Sequence, residues 1–218
     1  AHFAAPRPGE RWADLGTGCG VIPLLWRVRT QAGSITGVEL QEKAAQQAER
    51  SVAENGFSQS VSILRGDARR LSDLFPAGSL DGIACNPPYT PPGAGIPCGD
   101  AARRTARQGD TLSLEDLARE ARCALRFGGR LCLCLRPQRL GEAVGLFQRF
   151  QLEPKRLRLC QQRPGKAPFL LLLECRRGGR PGMDVGPVLL LEGEDGRPTG
   201  ELEAIYGDYR DNPEHQRR

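Results

Sequence analysis

Along the chain, short apolar runs alternate with stretches whose apolar positions recur at helical spacing. Arg11-Trp12-Ala13-Asp14-Leu15 reads as a first strand ending in Gly16-Thr17-Gly18-Cys19-Gly20. Val21 to Val28 follows as a helix, with Pro23 tolerated in its first turn. Ser34 to Glu39 reads as a second strand. Gln41 to Glu54, rich in Ala, Gln and Glu, reads as a helix stopped by Asn55-Gly56. Val61 to Leu64 is a third strand leading into Gly66-Asp67, and Leu80 to Cys85 is a fourth.

Residues 90–111 are rich in Pro and Gly and contain Arg103, Arg104 and Arg107, which predicts a long loop. Ser113 caps a helix expected to run to about Phe127 and to stop at Gly128-Gly129. Arg130 to Leu135 is a fifth strand, followed by a helix from Gln138 to Phe150. Strands near 155–160 and 168–175 flank a turn at Pro164-Gly165, so an antiparallel pair is expected to end the sheet. The alternation predicts an α/β domain over residues 1–180 with a mostly parallel, twisted, Rossmann-like sheet. Residues 181–218 read as a partly disordered C-terminal extension. A linker over 176–187 leads into it, with a short strand near Val188 to Leu191, a helix near Glu201 to Tyr206, and a disordered end from Asp208.

Composition narrows the class. Of 218 residues, 39% are hydrophobic and 26% charged, enough for one sizeable core. No apolar run approaches the roughly 18 residues of a membrane span, and no signal-peptide pattern is present, so a cytoplasmic protein is expected. The eight cysteines form no C-x-x-C pair and mostly lie in strand-like runs, which reads as reduced core cysteine without a metal site. His2 and His215 are the only histidines, which argues against a Ser-His-Asp or Cys-His mechanism. Residues 100–180 carry 18 basic and 8 acidic groups, whereas residues 181–218 carry 4 basic and 9 acidic. A polyanion such as RNA fits the basic segment. Only three cationic groups are lysines, so arginine-rich codon usage accounts for the same charge equally well.

The Gly16–Gly20 loop has the spacing G-x-G-x-G, with Asp14 two residues before it. A dinucleotide fingerprint needs glycine at 21, where this chain has Val21. The pattern suits S-adenosyl-L-methionine, with Asp14 near its ammonium and the N–H groups of Gly16, Thr17, Gly18 and Gly20 against the rest. Glu39, at a strand end, is placed for both ribose hydroxyls. Asp67 and Ala68 are placed for the adenine. Downstream, Asn86-Pro87-Pro88-Tyr89 closes the fourth strand. The Asn86 side-chain oxygen and the Pro87 carbonyl can accept from the two hydrogens of an amino group, Pro88 restricts Pro87, and Tyr89 can stack on a planar ring. Asn86 also borders the cofactor.

With these residues the chain resembles the class I S-adenosylmethionine-dependent amino methyltransferases. Within them it resembles the bacterial tRNA(Val) adenine-N6 methyltransferase family. The narrower likeness rests on Thr111-Leu112-Ser113-Leu114-Glu115-Asp116-Leu117, Arg136-Pro137, Pro154-Lys155-Arg156-Leu157, Asp195-Gly196-Arg197-Pro198-Thr199 and Ile205-Tyr206-Gly207. The resemblance implies methylation of an adenine in a tRNA loop, with Arg103, Arg104 and Arg107 on phosphates. It also implies a cofactor-covering segment before the first strand; here Ala1-His2-Phe3-Ala4 stands there, so the domain reads as truncated. The alternatives are a release-factor glutamine methyltransferase, a ribosomal RNA guanine methyltransferase and a silent RNA-binding module.

Overall fold

The computed structural model describes residues 1–87 and 112–207. Its centre is five parallel strands: β1 (Arg11–Leu15), β2 (Ser34–Glu39), β3 (Val61–Arg65), β4 (Leu80–Cys85) and β5 (Leu125–Leu135). Helices α1 (Val21–Arg29), α2 (Glu42–Glu54) and α3 (Leu114–Ala124) lie between them in sequence. Beyond β5 come α4 (Leu140–Arg149), β6 (Leu152–Gln161) and β7 (Leu170–Arg177). The short strands β8 (Asp184–Val185) and β9 (Leu189–Leu190) precede α5 (Gly200–Tyr206). The strand order is β3-β2-β1-β4-β5-β7-β6-β8, with β9 also on β6, and β7 runs antiparallel to both of its neighbours. The expected α/β sheet with an antiparallel end is what forms.

Period-two alternation divides the core into two layers. Leu15, Ile83, Leu131, Leu133, Leu171 and Leu173 face α3 and α4, where Leu117, Ala121 and Phe147 are fully enclosed. On the opposite side Trp12, Ile35 and Ala84 pack with Trp26 of α1 and Val52 of α2. Trp12 and Trp26 meet edge to face at 5.2 Å. The Trp12 indole lies across Gly82, where a Cβ would fall 2.1 Å from the ring, so glycine is what lets β1 and β4 pair beneath it. Arg130 covers the other side at 4.7 Å and is held by Glu10 at 2.6 Å, while the Trp12 indole N–H donates to the same carboxylate at 2.9 Å.

Three boundaries differ from expectation. The helix capped by Ser113, whose Oγ accepts from the Asp116 N–H at 3.0 Å, ends at Ala124 rather than near Phe127. Leu125 turns extended instead, because burying its side chain against the core and pairing with Leu80 outweigh one more helical turn. Gly128-Gly129 is therefore part of an irregular β5, not a helix stop. In α4 the first turn after Pro137 is a 3-10 turn, Pro137–Arg139. β6 starts at Leu152, and a register shift between Pro154 and Arg156 accommodates the proline that cannot donate to the ladder.

The stretch expected as a linker contributes the end of β7 and all of β8. The acidic extension packs on β6. Gly186 N–H donates to the Leu157 carbonyl and Leu191 N–H to that of Gln161. Arg158 pairs with Glu201 at 2.5 Å and Arg163 with Glu192 at 3.2 Å. Arg29 at the end of α1 donates to the carbonyls of Ile205 and Tyr206. The disordered end expected from Asp208 onward lies outside the described residues.

Candidate active site

Strand register gathers the candidate residues along one edge. β1 pairs with β2 so that Leu15 stands opposite Val38, and with β4 so that Leu15 stands opposite Cys85. Gly16, Glu39 and Asn86 are thus the next residues of three adjacent strands. Glu39 in turn stands opposite Arg65, and its carbonyl accepts from the Gly66 N–H at 2.9 Å. Asp14, the glycine loop, Glu39, Asp67 and Asn86 therefore share the carboxyl edge of the sheet. They straddle the β1–β4 boundary, where the chain order reverses and open α/β sheets bind their ligands.

The loop is shaped by glycines in the left-handed region: Gly16 at φ 69°, Gly18 at φ 58° and Gly20 at φ 84°. Gly16 and Thr17 N–H groups both donate to the Val38 carbonyl, at 2.9 and 3.1 Å. Among the described residues no atom comes within 4 Å of where a Cβ would stand at Gly16 or Gly18. Gly20 instead approaches Ala48 of α2, where a Cβ would come within 3.2 Å. Gly37, opposite Asp14 on β2, also has no room for a side chain, since Thr17 and Ile63 fill the place. Sequence reading missed Gly37, whose only signal was a glycine inside a strand.

Asp14 is 2% exposed, and among the described residues its Oδ2 has no hydrogen-bond partner. Burial pushes its carboxyl up to about 7; neighbouring Thr17 pulls it back, and Glu39 adds to the rise. A buried carboxylate lacking a partner is costly and suits a cationic ligand group. Glu39 is also buried, and its two oxygens accept from Gly18 N–H and Gln41 N–H, each at 2.9 Å. An ionised carboxylate has about four acceptor positions, which leaves room for two hydroxyl donors.

Asp67 caps a 3-10 turn over Ala68–Asp73 and is bound by Arg69, whose N–H donates at 2.9 Å and whose guanidinium contacts both oxygens. That Arg69 side-chain hydrogen bonding, ahead of all else, holds Asp67 below the usual carboxylate range. Arg69 was not singled out in the sequence, although its place two residues after the aspartate was the available signal. Ala68 is half-buried and packs against the larger core layer. Asn86 is exposed at the edge, whereas Pro87 is buried. Pro88, Tyr89, Arg103, Arg104 and Arg107 lie outside the described residues.

These features fit S-adenosylmethionine: an unpartnered buried carboxylate for the ammonium, a glycine loop open above its backbone, and a fixed carboxylate for the ribose. The buried thiols are poor nucleophiles, since burial pushes Cys132 up to about 12 and Cys85 higher still. Among the described residues no helix is long and apolar enough to cross a membrane, and no group of three or more His, Cys, Asp or Glu is placed to hold a metal.

The methyltransferase small domain family matches residues 1–151. The tRNA1(Val) (adenine(37)-N6)-methyltransferase of Tolumonas auensis is 31% identical over 93% of this chain and 83% of its own length. The enzyme of the same name from Parabacteroides distasonis is 29% identical over 95% of this chain and 85% of its own. Among solved structures, a predicted O-methyltransferase from Agrobacterium tumefaciens shares the fold with a TM-score of 0.73 at 22% identity, covering 92% of this chain and 90% of that one. TrmN from Thermus thermophilus gives a TM-score of 0.54 at 27% identity, covering 79% of this chain and 46% of that one. The chain belongs to the methyltransferase small domain family, is a relative of the tRNA1(Val) (adenine(37)-N6)-methyltransferases, and is an S-adenosylmethionine-dependent methyltransferase.

Proposed function

We propose that this enzyme methylates the exocyclic N6 of an adenine in RNA, in a tRNA loop, and that it works in the cytoplasm. The observation that carries this reading is the position of Asn86-Pro87, one residue beyond the Leu15–Cys85 pair and directly beside the glycine loop. Relatives named for tRNA adenine-N6 methylation, matched over most of the chain, support the choice of substrate. Bound S-adenosylmethionine supplies an electrophilic methyl on a sulfonium. An adenine amino group is a weak nucleophile, because its lone pair is delocalised into the ring. Asn86 Oδ1 and the Pro87 carbonyl accept from its two hydrogens and orient the lone pair toward the loop. Tyr89 stacks on the ring, and Arg103, Arg104 and Arg107 hold phosphates. A loop base is easily unstacked, which lowers the cost of presenting it at the edge. No strong base is needed, since the surplus proton leaves to solvent after transfer.

The test is to incubate the enzyme with methyl-labelled S-adenosylmethionine and unmodified tRNA, digest the RNA and identify the product by mass. N6-methyladenine in the anticodon loop is expected. Label in guanine, or in a release-factor glutamine offered alongside, would overturn the substrate assignment.

A further inference from the structure

An irregularity in β5 builds a second surface at the opposite edge of the sheet, where the parallel strands begin. Leu80 pairs with Leu125 and Gly82 with Arg130, so residues 126–129 bulge opposite Asp81 alone. Gly128, at φ 75°, closes the bulge. Bulges re-aim side chains, and this one presents Phe127, which at 75% exposure is the most exposed large apolar side chain among the described residues. Gly178 backs its ring so closely that a Cβ there would lie 2.1 Å from it. The ring is propped outward on a rigid support instead of folding into the core beside it.

Several arginines lie on the same edge. Arg126 pairs with Asp81 at 2.5 Å, and the Arg11 N–H donates to the same carboxylate at 2.8 Å. Arg177 ends β7 opposite Leu152 and donates to the Leu125 carbonyl. Arg122 holds Gln151 at 2.8 Å, close enough to Arg177 for the two charges to repel. Arg180 follows, exposed. Of the nearby acids, Asp81 pairs with Arg126 and Glu10 with Arg130, while Glu153 accepts from the neutral Gln148 amide and keeps its charge, which Arg122, Arg177 and Arg180 outnumber. The edge is left cationic around one exposed ring. An acidic protein would satisfy the charge, but an upright aromatic ring among arginines is what an unpaired base stacks on.

We propose that this edge is a second RNA-binding surface, in which Phe127 stacks on an unpaired base and Arg122 and Arg180 hold the adjoining phosphates. The proposal rests on the RNA reading above. β4 is six residues long, about 20 Å at ~3.3 Å per residue, so a folded tRNA can touch both edges, whereas a fragment confined to the target loop reaches only one.

Binding of the intact protein to unmodified tRNA, and to a short oligonucleotide of the target loop, tests this by fluorescence anisotropy. Phe127→Ala is expected to weaken tRNA binding about tenfold. Arg122→Ser with Arg180→Ser should reduce the slope of log affinity against log salt by about one to two. Neither variant should change oligonucleotide affinity, cofactor affinity or the thermal midpoint. Unchanged tRNA binding in both variants overturns the second surface and leaves the RNA reading standing. Equal losses on both RNAs with lowered thermal midpoints would assign the effect to the fold and also overturn it. Displacement of tRNA by polyglutamate but not by polyuridylate would assign the edge to an acidic protein. Wild-type protein that binds neither RNA overturns this proposal and the RNA reading together.

Discussion

Glu39 Oε2 accepts a hydrogen bond from the Gly18 N–H at 2.9 Å, tying the end of β2 to the glycine loop that follows β1. The contact holds the loop and the carboxylate proposed for the ribose in one geometry. Glu39→Ala removes a charge-assisted hydrogen bond worth about 1.5–3 kcal/mol together with the proposed acceptors for the ribose. Cofactor affinity measured by isothermal titration is expected to fall at least tenfold, and Glu39→Gln to recover part of the loss.

Asp14 is expected to make stability and, in its proposed role, cofactor binding depend on pH. Its folded-state carboxyl is raised to about 7 by burial. The stabilisation associated with its protonated form is complete below the unfolded value near 4 and is lost as pH rises through about 7. The effect is on the order of 4 kcal/mol at about 1.4 kcal/mol per pH unit. Thermal midpoints of the ligand-free protein should fall between pH 5 and 8 more steeply in wild type than in Asp14→Asn. Cofactor affinity should change in the opposite direction, rising with pH through about 7 as the carboxylate proposed to receive the ammonium ionises. Asp14→Asn should flatten that rise.

Gly82→Ala should be among the most damaging single-methyl additions in the chain. The new Cβ would fall 2.1 Å from the Trp12 indole, which is itself fixed by Glu10 and Arg130 and packed on Trp26. Overpacking costs about 1–3 kcal/mol, and the upper end is expected here. Urea titration followed by tryptophan fluorescence measures it directly.

The C-terminal extension should behave as part of the domain. Arg158 donates to the Pro187 carbonyl at 2.9 Å and pairs with Glu201 at 2.5 Å. Glu201 is half exposed, so the ion pair contributes little, and the hydrogen bond to Pro187 is exposed as well, although the Arg158 side chain itself is mostly covered. Arg158→Ala is expected to cost about 1 kcal/mol. It should speed hydrogen exchange at the Gly186 and Leu191 N–H groups, which donate to β6.

The sheet and the shape of the glycine loop were legible because their signals are local. Gly16, Gly18 and Gly20 need positive φ, Asp14 and Glu39 sit at strand ends, and apolar runs alternate with helical spacing. What escaped depends on distant partners. Gly128-Gly129 carries the composition of a helix stop, yet pairing of Leu125 with Leu80 makes it a bulge. Asp67 reads as a free acceptor until Arg69 is seen folded back on it. The acidic extension gives no sign in sequence that Glu201 and Glu192 meet Arg158 and Arg163 across the fold.

Asn86 carries the central claim, and it lies exposed just beyond β4. Single-turnover methyl transfer and cofactor affinity, measured on the same preparation of Asn86→Ala, separate chemistry from binding. The account predicts a rate loss of at least about a hundredfold, with cofactor affinity and thermal midpoint changed far less. A variant that still transfers methyl groups at near wild-type rate, or one whose rate and cofactor affinity fall by the same factor, would contradict the assignment of Asn86 as the residue that presents the acceptor nitrogen.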